Sequence, residues 1–159
     1  MPSIYVGTYG KYNAGSIEGK WLDLEDYADK DAFLEACQDF HGPGEHEWMF
    51  QDHEGIPSQF ITECSIKSKF WDYMDSDIEE GVKDAYMYLF DEWDEERCLD
   101  RYRGEFRSPT ELAEDYVEST GMLHDLPDNL QYYFDYEAFG RDMMLDGMSE
   151  HNGHYFYYN

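Results

Sequence analysis

SIYVGTYGKYNAGSIEGKWLDL, residues 3–24, is the stretch that decides the fold class. Its first seven residues, Ser3–Tyr9, alternate and are rich in β-formers, as a half-buried strand should be. GKYNAG (10–15) is turn chemistry, and Ser16–Leu24 reads as a second strand. The next segment changes period. Asp29–Phe40 (DKDAFLEACQDF) places Phe33, Leu34, Cys37 and Phe40 at helical spacing, with Asp29 or Asp31 as N-cap. HGPG (41–44) stops that helix, and Glu45–Asp52 is a third strand candidate. Strand, strand, helix, strand makes a small α+β unit ending near residue 60.

Working outward, the middle section is helical. Across Ile78–Glu96, Val82, Tyr86, Leu89, Phe90 and Trp93 share one face of a single expected helix, and Glu80, Asp84, Asp91 and Glu95 share the opposite one. The last section repeats the device. Ser108 caps, Pro109 takes the first helical position, Glu111 completes a capping box, and Gly121 ends the helix. Leu112, Ala113, Tyr116 and Val117 form its apolar face; Glu111, Glu114, Asp115 and Glu118 group opposite. A further helix is expected over Tyr136–Leu145 and a closing strand at HYFYY (154–158). The expected class is therefore α+β, with three small abutting units at 1–60, 61–105 and 106–159. WLDLEDYAD (21–29) and YFDYEAFGRD (133–142) are faintly alike, which does not establish a repeat.

Charge is the feature that asks for a function. The chain has 37 acidic residues against 11 Lys plus Arg, a formal net of −26. The acids are spread along the whole chain, so no acidic tail explains the total. Such self-repulsion opposes a compact state, and acidic excess without aromatics signals disorder. Here 15 Tyr, 10 Phe and 4 Trp supply a core. A solvated helix face normally mixes signs, because Glu–Lys pairs support it. These stripes set like charges three, four and seven residues apart with almost no bases between them. The physical alternative is imitation of a nucleic-acid backbone: at two charges per base pair, this net charge matches roughly 13 base pairs of duplex. Carboxylates accept charge-assisted bonds from Arg and Lys, as phosphates do. Salt adaptation would also give a Lys-poor acidic surface, though it predicts no particular motif.

Other chemistries find little support. Asp75, Asp77 and Glu79 open like a calcium loop, but its sixth and twelfth positions are Glu80 and Tyr86 instead of Gly and Glu. The six histidines form neither HExxH nor a Cys/His zinc pattern, and His151-Asn-Gly-His154 reads as turn chemistry. GTYG and HGPG lack phosphate-loop spacing, and no nucleophile elbow exists. The expectation is a protein that is not an enzyme, with no catalytic, cofactor or metal residues and no cofactor. The N-terminus lacks the pattern of a signal peptide, and no apolar run is long enough for a bilayer span. Cys37, Cys64 and Cys98 read as reduced, packed thiols, and the cytoplasm is the expected location.

Two long strings add a resemblance. IYVGTYGKYNAGSIEGKW (4–21), with WLDL running on from it, resembles the opening of the ArdA antirestriction proteins. AEDYVESTGMLHDLPDNLQYYFDYEAFGRDM (113–143) resembles that family's characteristic C-terminal stretch. The resemblance spans essentially the whole chain and is weakest between about 60 and 105. It implies three small units in an elongated, dimeric protein that mimics DNA bound by Type I restriction–modification enzymes. The partners implied are the specificity and methyltransferase subunits, in a bacterial host receiving a conjugative plasmid or transposon. No direct DNA binding and no membrane contact are expected. On this reading the mimic surface comprises Glu80, Asp84, Asp91, Glu95, Glu111, Glu114, Asp115, Glu118, Asp135, Glu137 and Asp142. Leu112, Ala113 and Tyr116 are the expected homodimer contacts, the alternative being that this face packs inside its own unit. Six bases in the middle section, Lys67, Lys69, Lys83, Arg97, Arg101 and Arg103, interrupt the acidic track and are expected in part to neutralise local acids. The competing functional readings are an acidic adaptor or chaperone of a basic DNA-binding protein, and a hydrolase using carboxylates.

Overall fold

The structure, a computed structural model, describes residues 1–158 and is mixed α+β, as the sequence predicts. By its internal contacts the chain divides into two compact units, Met1–Asp77 and the remainder from Ile78 onward. The boundaries expected near residues 60 and 105 fall inside these units.

The first unit opens with β1 (Ser3–Thr8), α1 (Tyr9–Asn13) and β2 (Lys20–Asp23). It continues through α2 (Lys30–His41), β3 (Trp48–Glu54) and α3 (Lys69–Asp75). Its three-stranded antiparallel sheet has the order β2-β1-β3, so β1 is the central strand. Ile4 and Val6 of β1 are buried, as alternation predicts. The second strand is shorter than expected. A Cβ on Gly19 would sit 2.6 Å from the Val6 carbonyl oxygen and 2.7 Å from the Tyr5 ring, so the approach of Ser16–Gly19 is shaped by crowding, and strand pairing begins at Lys20. The expected GKYNAG turn contains a short helix, because Thr8 Oγ1 accepts from Lys11 N at 3.1 Å and caps it. For α2, the Asp29 carboxylate accepts from Ala32 N at 2.8 Å, which settles the N-cap alternative. Phe33 and Cys37 of α2 are buried; Phe40, expected beside them, is exposed, and His41 is buried in its place. Phe33 packs against Tyr27, Phe50 and Trp71, which joins α2 to the sheet and to α3.

The second unit contains α4 (Glu80–Phe90), α5 (Glu95–Arg101), β4 (Tyr102–Glu105) and α6 (Pro109–Thr120). After these come α7 (Asp128–Gln131), α8 (Tyr136–Leu145), β5 (Met148–His151) and β6 (His154–Tyr157). Its sheet has the order β4-β6-β5 and is antiparallel. The β5–β6 hairpin turns through Asn152 (φ 51°) and Gly153 (φ 85°), the paired left-handed conformations of a tight hairpin, so the HNGH string is turn chemistry as read. α4 packs on β5 and β6, and α6 packs on α8. Tyr86 of α4 reaches Phe156 and Trp93. Leu112 of α6 joins Met148 and Tyr155 in the core.

The single helix expected over Ile78–Glu96 is two helices. Asp91 takes the left-handed conformation (φ 60°) that ends α4, a conformation Asp tolerates better than most residues. Asp94 then caps α5, its carboxylate accepting from Arg97 N at 3.0 Å. Trp93 stays buried between the two helices in sequence, so the apolar reading of that position holds while the helical one does not.

Candidate acidic interaction surface

The expected acidic residues lie at the surface, in two groups with different partners. On α6, Glu111, Glu114, Asp115 and Glu118 share one face by their spacing of three, four and seven residues. Ser108 Oγ accepts from Glu111 N at 3.2 Å, and the Glu111 carboxylate accepts from Arg107 N at 2.6 Å. The return bond of the expected capping box therefore reaches the residue before the cap. Glu111 also faces the Arg107 guanidinium at 3.6 Å. Asp115 accepts from Arg103 at 2.7 Å, and both groups are part-buried. Glu80 pairs with Lys83 at 2.8 Å, although the Lys83 side chain itself is buried. Asp94 faces Arg97 at 3.6 Å. Several bases of the middle section thus neutralise nearby acids, as expected.

Glu114 and Glu118 of α6, and Glu137 and Asp142 of α8, are exposed and have no cationic partner among the described residues. Asp135 is exposed as well, but its carboxylate accepts from Ala138 N at 3.0 Å and so caps α8. Asp84, Asp91 and Glu95 are exposed, each with a further interaction of its own. Because the helix breaks at Asp91, Glu80 and Asp84 lie on α4, Asp91 ends it and Glu95 opens α5. The four do not form one helical stripe.

Leu112 and Ala113 are fully buried inside the second unit, and Tyr116 is half-buried against Phe139 of α8. Leu112 and Ala113 therefore offer no surface to a partner in the single chain.

A further acidic feature escaped the reading of the sequence. An open groove of about 1120 Å³ in the first unit is lined by Asp31, Glu35 and Gln38 of α2, Glu45, His46 and Glu47 of the following loop, and the rings of Tyr9 and Trp48. Among the described residues no Lys or Arg lines it. Asp31 and Glu35 are four residues apart on α2 and carried a legible signal, but Glu45, Glu47 and the rings arrive from separate segments. Gln38 Nε2 donates to the carbonyls of Gly42 and Gly44 at 2.6 and 3.0 Å, holding the loop that forms one wall.

Thiol chemistry is quiet where the cysteines are packed. Burial pushes the thiols of Cys37 and Cys98 up to about 12, so both stay protonated near neutrality. Cys64 is exposed, contrary to the expectation of three packed thiols. Among the described residues no group of three or more His, Cys, Asp or Glu side chains is placed to hold a metal ion. No helix among them is long and apolar enough to cross a membrane.

Comparison with curated proteins returned no match. The family model of the antirestriction protein ArdA matches residues 4–157, nearly the whole chain, including both strings quoted above. With that match added to an α+β fold of two small antiparallel sheets and a surface of exposed carboxylates, the chain belongs to the ArdA family of antirestriction proteins.

Proposed function

We propose that this protein inhibits Type I restriction–modification enzymes by occupying their DNA-binding groove, without catalysis, and so protects incoming mobile DNA. The observation that carries the reading is the set Glu114, Glu118, Glu137 and Asp142: exposed carboxylates on two packed helices, with no cationic partner among the described residues. Unpaired acids at helical spacing cost stability through like-charge repulsion. To a basic groove they offer what phosphates offer, an array of charge-assisted acceptors. A net charge of −26 also works against the protein binding DNA itself. We propose in addition that it acts as a homodimer, with contacts on surface other than Leu112 and Ala113.

Competition decides the matter. With a purified modification core (specificity plus methyltransferase subunits), the protein should displace duplex DNA whatever sequence that core recognises, because carboxylates copy phosphates but not base edges. Binding to DNA itself, or inhibition that duplex DNA does not relieve, would overturn the proposal. The groove of the first unit favours a second reading, an acidic adaptor for a basic DNA-binding protein. A concave, acid-lined wall suits an extended basic segment better than it copies a convex duplex. That reading requires binding to persist when saturating DNA fills the partner's own site.

A further inference from the structure

His41 is the last residue of α2, and it is buried. Its Nε2 lies 3.1 Å from the carbonyl oxygen of Val6, on the central strand β1. A carbonyl only accepts, so Nε2 carries the ring proton in the neutral form and Nδ1 is the bare nitrogen. Nδ1 is buried and has no hydrogen-bond partner among the described residues. Rings pack around the imidazole: Phe40 edge-on with centroids 4.9 Å apart, Trp48 at 5.8 Å and His46 at 6.0 Å. The contact ties the end of α2 to the middle of the sheet. Behind it the Gly42–Gly44 turn is held by Gln38 and by His46, whose Nε2 lies 3.0 Å from the Gly42 carbonyl.

We propose that His41 is an acid-sensitive latch: neutral, it clamps the end of α2 onto β1; protonated, it releases that contact and the turn behind it. A proton on Nδ1 would create a second N–H with no acceptor in reach and a full charge among rings, both costly when buried. The charged surroundings oppose one another. Lys11 of α1 and His46 of the loop disfavour the cation, and Lys11 and Lys20 both lie near the Phe40 ring, at 5.8 and 5.9 Å. Glu18, the Val6 carbonyl and the carbonyl end of α2 favour it. Burial is the largest effect and holds the imidazole below its ordinary range. The sign of the pH dependence follows. Well above the ordinary histidine pKa, about 6.5, neither the closed nor the open form binds a proton, and the latch holds at full strength. As pH falls below that value, the open form takes up a proton that the closed form resists, and the closed state loses stability. Once pH passes below the closed form's own lower pKa, both forms are protonated and the loss stops growing. The latch is independent of what the acidic faces bind.

Nuclear magnetic resonance on the full chain tests it. The His41 ring should be the Nε2–H tautomer and titrate with a midpoint below the ordinary range. Amide exchange in the last turn of α2 and at Gly7, corrected for intrinsic rates, should quicken between pH 7 and about pH 5, by up to about tenfold per pH unit, the limit for one proton. In His41→Gln the amide can still donate to Val6 but does not titrate, so that acceleration should vanish. A wild-type midpoint at or above the ordinary range would overturn the latch, whether or not the variant folds. Equal acid-induced opening in wild type and variant would overturn it as well.

Discussion

Gly140 shows how one atom sets a helix crossing. It is buried in α8, and a Cβ there would run into the Pro109 carbonyl at the start of α6. The obstacle is backbone, which cannot swing aside as a flexible side chain can. Gly140→Ala adds helix propensity worth about 1 kcal/mol, yet the overlap should outweigh it. We expect a net loss of about 1–3 kcal/mol, read as a fall in Tm of roughly 3–10 °C. An unchanged or raised Tm would mean that α6 moves away freely. Lys83 teaches a related lesson. It is a base in an acidic chain, and it is buried with its ammonium against Glu80. Its charge neutralises a neighbour and is not offered to the surface.

At the scale of elements, the α6 and α8 acids divide by task. Glu111 and Asp115 hold Arg107 and Arg103, whereas Glu114, Glu118, Glu137 and Asp142 have no cationic partner among the described residues. Changing the latter four together to amides should leave stability within about 0.5 kcal/mol or raise it slightly, since like-charge repulsion is relieved. Inhibition should weaken by about 1–3 kcal/mol in total, or roughly five- to 150-fold, if each exposed contact is worth up to ~1 kcal/mol. Thermal melts and inhibitory concentrations against a Type I modification core read the two effects separately. Asp115→Asn should instead lower Tm, because it removes a part-buried partner from Arg103. Lost inhibition only from variants that also unfold would argue against a distributed acidic surface.

For the whole molecule, the formal charge of −26 makes salt a test with opposite signs. Screening relieves self-repulsion, so Tm should rise between low salt and ~0.5 M. Affinity for a basic groove should fall over the same range. A Tm that drops with salt would mean that pairs such as Arg103–Asp115 outweigh the net repulsion. What the sequence by itself determined was local or additive. The Ser108-Pro109 helix start, a helix opening at Asp29 or Asp31, the Gly121 stop, the Tyr136–Leu145 helix and the α+β class were legible because each depends on residues a turn or two apart. The charge was legible because it is a sum. Tertiary structure decided what depends on distant partners. Arg103 takes Asp115 out of the exposed set from twelve residues away, Leu112 becomes core once Met148 and Tyr155 pack with it, and the acidic groove needs Tyr9, α2 and Trp48 at once. Spacing along a helix states which residues share a face; only packing against the rest of the chain states whether that face is buried, paired or left to bind.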